Sequence, residues 1–397
     1  MAKNTLLTID GIQHRVKEKF ITIDKSYHRI KKAYITVDGI WRLCYSMLSI
    51  NYYGSKLLTT AKYGMNATYT EDYVLFAGGY PMDCKIDVYD KNFTEYPQRS
   101  FIGNRIRDNM GTINFASYAM FAGGIYDDGE RWRTTNEIEI CDNDLTISKL
   151  PSELRDAREN FGAAVVKRSN SKTTASLSSH TELCIFFSGS TDDDTFSTKL
   201  TSFVDMFKNV DGSIVRLWPD NSSVLRGCVT STGVSVGNTA IFNGRNGWDV
   251  YLKYHLYDID GTRTIKENTK KMDRISISVK IAGEKNEYGL FVNSSGDKMV
   301  ILNEAGTEVF EKTFTTRNFF ETAVASIGTY ALMTGNDGTV WGFDEDFCQS
   351  QVDTLSEKRQ SMVGIGLDNK ALFAGGERMT RPYGRSKTID IYEYNND

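Results

Sequence analysis

The sequence predicts an all-β chain, a seven-bladed β-propeller preceded by a small module of β-hairpins. Three observations lead there. The first is composition: the 397 residues include 21 Tyr, 21 Phe and 33 Gly but only 5 Pro, the balance of a chain rich in strands and turns. The second is a fourteen-residue repeat within the first 46 residues. The third is a longer repeat, met seven times after residue 50, with consecutive copies 40 to 66 residues apart. Periods of this size mark propellers and other repeat architectures.

Composition also narrows the function classes. Hydrophobic residues make up 40 % of the chain and charged residues 25 %, enough apolar material for a large core. No stretch approaches the roughly 20 apolar residues that span a bilayer, and the start MAKNTLLTID lacks a signal-peptide core. The chain is therefore expected to be made in the cytoplasm and not to insert into a membrane. Cys44, Cys84, Cys141, Cys184, Cys228 and Cys348 are scattered, with no CxxC pair, so reduced, buried thiols are expected. Residues 1–46 carry nine Lys or Arg against four acids, a net +5, which leaves −9 for the rest of a chain of net charge −4. Such a module is either a solvated basic unit or one that docks on an acidic partner.

The fourteen-residue repeat reads TIDGIQHRVK from Thr8, TIDKSYHRIK from Thr22 and TVDGIWRL from Thr36, with Asp10, Asp24 and Asp38 in phase. Each unit is a strand of alternating apolar residues, a turn at Asp-Gly or Asp-Lys, and a returning strand. One small hairpin is marginal alone, so three in series need a surface to stack on. Residues 1–48 are taken as this module and residues 49–397 as the propeller.

Seven strands carry the longer repeat: YVLFAGG from Tyr73, YAMFAGG from Tyr118, CIFFSGS from Cys184, TAIFNGR from Thr239, YGLFVNS from Tyr288, YALMTGN from Tyr330 and KALFAGG from Lys370. Their landmark residues are Phe76, Phe121, Phe187, Phe242, Phe291, Met333 and Phe373. A basic residue precedes each: Lys62, Arg107, Arg158, Arg226, Arg274, Arg317 and Arg359. A hairpin signal follows, as in YDKNFT at Tyr89, CDNDLT at Cys141 and YDIDGT at Tyr257. The last unit stops after its third strand, Ile389 to Tyr394, so residues 55–59 are expected to supply the missing fourth strand from the N-terminal side. A borrowed strand closes the ring and leaves few edges.

This order of landmarks resembles the kelch family over about 345 residues. The resemblance implies a basic residue opening strand A, Gly-Gly ending strand B, and a turn after strand C. Gly-Gly is intact only at Gly78-Gly79, Gly123-Gly124 and Gly375-Gly376. The tryptophan of strand D is mostly missing, with Trp218 a candidate in the third unit. The N-terminal repeat, best seen in residues 31–43 with Tyr34 and Trp41, resembles the hairpin repeats of bacteriophage tail-associated and appendage proteins. That resemblance implies attachment to a virion.

Signals for catalysis are weak. The four histidines have no ligand spacing, and no GxSxG, HExxH or phosphate-cradling loop is present. The acids at Asp192 to Asp194 and Asp344 to Asp346 lack a full calcium loop. No metal and no cofactor is expected. The basic septet would either ring the channel mouth as an anion site or bond backbone carbonyls between blades, and the second role is the expected one. Candidate ligand contacts lie on the B–C loops, which share an end of the sheets with the start of strand A. They are Tyr80 in the first unit, Tyr126, Arg131, Trp132 and Arg133 in the second, and Arg381, Tyr383 and Arg385 in the seventh; with the first unit between the other two in the ring, they are expected to cluster on one sector. Aromatic plates beside arginine suit sugars, peptides or acidic polymers.

The function these readings imply is a non-enzymatic virion appendage, tail- or collar-associated. Residues 1–48 would contact other virion structural proteins, and the propeller would meet a host cell-wall glycan. A decoration protein whose propeller faces virion proteins is the second expectation, and a polysaccharide-acting enzyme the third. Copies of the same chain on the particle are a further partner considered. Nucleic acid is not expected as one.

Overall fold

The computed structural model describes residues 50–395 apart from 168–181, 193–197, 201–202, 211, 218–231, 245–250, 272–274, 284–285, 315–318 and 320. Before them it describes strand backbones within residues 6–46. The described chain is all-β. The N-terminal repeat forms three two-stranded antiparallel hairpins, Leu6–Ile9 with Ile12–Arg15, Phe20–Ile23 with Ser26–Arg29, and Lys32–Val37 with Ile40–Ser46. Their ladders end at Ile9↔Ile12, Ile23↔Ser26 and Val37↔Ile40. Two residues therefore lie between the strands each time, as the Asp-Gly and Asp-Lys pairs predict. Asp10, Asp24 and Asp38 themselves, and the side chains of Tyr34 and Trp41, lie outside the described residues.

Seven four-stranded antiparallel sheets follow among the described residues. The first is Asn66–Tyr69, Tyr73–Ala77, Lys85–Asp90 and Glu95–Ser100. The second is Gly111–Phe115, Tyr118–Ala122, Ile138–Cys141 and Ile147–Lys149. The next four have second strands Glu182–Phe187, Thr239–Gly244, Glu287–Asn293 and Tyr330–Thr334. The seventh takes Val363–Leu367, Lys370–Ala374 and Thr388–Tyr394 from the C-terminal end and Ile50–Leu57 from the N-terminal side. The borrowed strand is residues 50–57 and not 55–59: it starts earlier and leaves out Leu58 and Thr59. Its ladder runs from Thr388↔Leu57 to Tyr394↔Ile50, while Leu58 turns away and donates its N–H to Lys387 O at 2.7 Å. Ile50 is buried, and the Tyr52 hydroxyl donates to Asp390 at 3.3 Å. Those two contacts account for the pairing reaching back to residue 50.

The core lies between sheets. Seven hydrophobic clusters are each shared by two sheets that follow one another in the chain, or by the seventh and the first. In the seventh–first cluster, Phe76 and Val74 meet Leu372, Ile389 and Ile391. Leu75 and Ala77, on the opposite face of the same strand, meet Ala119 and Phe121 of the second sheet. Both faces of a second strand are thus buried. This is why these strands read as unbroken apolar runs and not as alternating ones. First strands pack on first strands in the same succession, with Val363–Leu367 against Asn66–Tyr69.

The landmark residue of each second strand faces the preceding sheet, and this corrects the third unit. There Phe186 packs toward the second sheet, whereas Phe187 packs toward the fourth. Phe186, not Phe187, holds the landmark position, because a shift of one residue in a strand turns a side chain to the other face. Ser188 and Gly189, both with positive φ, take the place of Gly-Gly.

Two local devices explain other parts of the repeat. The hairpin signals are side-chain-capped turns. Asp90, Asp142, Asp258 and Asp344 each accept the backbone N–H groups two and four residues on, at 2.8–3.0 Å. Asp344, weighed above as a calcium ligand, is in this way a buried turn cap. The Gly-Gly pairs permit close approach between sheets. A Cβ on Gly123 (φ +58) would lie 2.5 Å from Arg158 O, and one on Gly375 (φ +66) would lie 2.5 Å from Lys62 O.

Candidate functional site

Antiparallel pairing puts the loop between the second and third strands of a sheet at the same end as the start of its first strand. Backbone bonds link these ends across sheets. Gly124 N–H donates to Arg158 O at 2.8 Å and Gly376 N–H to Lys62 O at 2.7 Å. Gly79 N–H donates to the Asp108 carboxylate at 2.9 Å. The candidate ligand residues therefore stand at one end of the assembly.

In the second and seventh sheets the long B–C loop is itself a hairpin. Ile125–Asp127 and Trp132–Thr134 pair beside Arg107–Asp108. Glu377–Arg378 and Gly384–Arg385 pair beside Arg359–Gln360. Tyr383, 70 % exposed, and Arg381 sit at the tip of the second hairpin. Arg385 reaches the first sheet, its guanidinium 4.4 Å from the centre of the Tyr80 ring. Tyr80, 47 % exposed, also packs on Tyr63 at 5.6 Å. Tyr80 and Arg385 thus form a platform across the seventh and first sheets, with the exposed Tyr383 on the same hairpin.

The second-sheet residues make contacts of their own. Trp132 is 42 % exposed, and its hairpin leans on the third sheet through Thr134 Oγ1 and Thr191 Oγ1, 3.2 Å apart. Tyr126 lies under Arg105, whose guanidinium is 5.5 Å from the ring centre. Arg133 forms an ion pair with Asp128, and Arg131 donates its backbone N–H to the same carboxylate at 2.9 Å. Backbone donation from Arg131 and Glu130, together with Arg133, holds Asp128 below the usual carboxylate range. Arg133 is thus committed to its own turn.

The basic septet does not ring an opening where it is described. Lys62, Arg107, Arg158 and Arg359 are almost completely buried, and Arg226, Arg274 and Arg317 lie outside the described residues. Each of the four bonds within the sheet that it opens, not between sheets. Arg107 donates to Gly123 O at 2.5 Å, Glu137 O at 3.2 Å and Glu139 at 3.0 Å. Arg158 donates to Phe186 O at 3.3 Å and pairs with Asp205 at 2.7 Å. Arg359 donates to Gly375 O at 2.5 Å and Thr388 O at 2.6 Å and pairs with Asp390. Lys62 pairs with Asp83 at 2.7 Å. Each of the three arginines ties the end of the second strand to the start of the third, which anchors the B–C loop above it, whereas Lys62 holds that loop through Asp83.

The partner acids are residues that the landmarks missed. Glu139, Asp205 and Asp390 are buried in third strands between aliphatic neighbours, as in Ile138-Glu139-Ile140 and Ile389-Asp390-Ile391. A lone acid inside an apolar strand is the available signal, since a buried charge requires a partner. His255 takes this place in the fourth sheet, opposite Phe242. It is fully buried and packs against the Phe187 ring in a tilted arrangement, centroids 4.9 Å apart. Burial, with repulsion from Arg263 and Lys253, pushes its pKa down from 6.5 to about 4.

That shift has a definite sign. A histidine depressed in the folded state binds its proton more readily when unfolded, so stability falls as pH drops from about 6.5 toward 4. The loss should reach about 3 kcal/mol for this group. His255→Leu is expected to flatten the pH dependence of urea unfolding in that window relative to the parent. Parallel losses in both proteins would refute the assignment.

No protein-family model matches the chain, and no curated protein matches it. Among solved structures, one titled "Structure of YjhT" superposes with a TM-score of 0.50 at 13 % sequence identity, covering 84 % of this chain and 95 % of that one. At this identity the likeness concerns the fold alone. Fold and site together define an all-β repeat protein of four-stranded antiparallel sheets, with aromatic and basic loops gathered at one end.

Proposed function

We propose that the seven sheets are the blades of a kelch-like β-propeller, that its B–C face binds a surface glycan without catalysis, and that residues 1–48 attach it to other structural proteins of a bacteriophage virion. The propeller reading is supported by the seven inter-sheet clusters, the last of which joins the seventh sheet to the first. A cavity of about 570 Å³ supports it too, being lined by Thr68, Asn114, Val165, Ser235, Lys280 and Ile365 from six different sheets. The virion reading rests on the hairpin repeat and its +5 charge.

One observation carries the adaptor role. Ile50 enters the seventh sheet opposite Tyr394, whereas the loop bearing Tyr383 leads into the other end of the same ladder at Thr388. The N-terminal module is therefore fed from the end opposite Tyr80, Tyr383 and Arg385. Attachment and recognition occupy opposite ends.

The test is binding of purified protein to cell walls of the bacterium from which its phage is recovered. Trp132→Ala with Tyr383→Ala is expected to weaken binding at least about tenfold, the loss typical of truncating exposed aromatic anchors. Assembly into particles should be unchanged. Undiminished binding, or loss of assembly with intact binding, would reverse the assignment of faces.

A further inference from the structure

Between the sixth and seventh sheets, at the platform end, lies a cleft of about 490 Å³, within the usual range for small-molecule sites. Its wall carries Asp337, Glu357, Lys358, Arg378 and Arg381, and the charges do not cancel. Glu357 is fully engaged: it accepts from Ser386 Oγ at 2.9 Å, Arg378 Nε at 3.1 Å and Thr388 Oγ1 at 3.1 Å. Burial raises its pKa, but these three bonds outweigh burial and keep it ionised. Its charge is spent on Arg378 and on holding the hairpin in place. Asp337 accepts the N–H of Thr339 at 2.9 Å and is the one acid on the wall without an ion pair among the described residues.

Against it stand two cations. Lys358 and Arg381 are exposed and have no ion-pair partner among the described residues. Lys358 lies across Gly338, where a Cβ would come within 3.0 Å of its Cγ. Met379 N–H bonds to Lys358 O at 2.9 Å, which fixes the spacing between the hairpin and the Lys358 segment. Arg378 is set on a paired strand, lines the cleft, and donates Nε to Glu357 at 3.1 Å. Tyr383 follows directly after Pro382, itself part of the wall.

We infer that this cleft binds an anionic oxygen group, a carboxylate or a phosphate, borne on a saccharide whose ring rests on Tyr383. Guanidinium forks fit either group in bidentate fashion. The saccharide part rests on the glycan reading above; the anion part rests on the cleft alone.

Isothermal titration of the full chain with galacturonate and with glycerol phosphate separates the two anion sources, with galactose as the neutral control. Either anion should bind, with affinity falling as salt rises. Lys358→Gln with Arg381→Gln should weaken it at least about tenfold, whereas Lys358→Arg with Arg381→Lys should retain most of it. Melting temperatures within about 2 °C of the parent would show that the fold is kept. Absence of binding by both anions, binding equal to that of galactose, or binding unchanged in the Gln variant would each overturn the proposal. The wall-binding test with Trp132 and Tyr383 answers the glycan reading separately, so either can fail without the other.

Discussion

Removing residues 1–49 is expected to leave a folded chain with nearly the parent melting temperature, whereas removing residues 1–57 is expected to unfold it. The eight residues between the two cuts are the outer strand of the seventh sheet. They pair with Thr388–Tyr394 from end to end and bury Ile50 against Leu332, Val340 and Tyr392. Losing Ile50 costs about 2 kcal/mol in burial. The ladder bonds contribute about 1 kcal/mol each, and at least four are lost. The sum exceeds about 5 kcal/mol, comparable to the whole stability of many domains. The cut also leaves Thr388–Tyr394 as a bare edge, which invites aggregation. Circular dichroism melts of the two truncations decide the matter: equal melting temperatures would mean that the borrowed strand is not what joins the chain ends.

Much of this architecture was legible because both faces of each second strand are buried. Val74, Leu75, Phe76 and Ala77 must all be apolar, and such a run is visible without knowing what covers it. The capped turns were legible for a related reason, since Asp90 and Asp142 act on backbone within four residues of themselves. What escaped notice depends on contacts distant in sequence. Arg107 and Glu139 are 32 residues apart, and Arg359 and Asp390 are 31 apart. No local pattern links a cation to a particular acid in a later strand. The platform was half legible. Tyr80 and Arg385 were expected in one sector, and their rings and guanidinium meet. Trp132 was expected in the same sector, and the cross-unit contact of its hairpin is with the third unit, through Thr134 and Thr191. The extra cations Lys358 and Arg378 were missed because the cleft is formed between two sheets, and neither strand carries its pattern alone.

Arg359→Met is expected to destabilise the chain by about 3–5 kcal/mol, and adding Asp390→Leu is expected to restore most of that loss. The single change leaves the Asp390 carboxylate buried without its cation, and uncovers Gly375 O and Thr388 O, which Arg359 holds. An unpaired buried charge costs that much, whereas replacing both partners by apolar side chains of similar volume is often close to neutral. Recovery should be incomplete, because Gly375 O loses its donor and Thr388 O keeps only the Gly375 N–H, at 3.0 Å. Asp390 also accepts the Tyr52 hydroxyl and the Ser356 N–H, both at 3.3 Å, so Asp390→Leu alone loosens the borrowed strand as well. Denaturant unfolding of the parent, the two single variants and the double variant closes the cycle. A coupling energy of about 2 kcal/mol or more identifies a working ion pair at the root of the seventh-sheet loop. Additive losses would mean that Arg359 acts through its carbonyl bonds alone. The same cycle on Arg158 and Asp205 should give less recovery, because Arg216 also pairs with Asp205 and would lose that partner, half-buried beside an apolar residue.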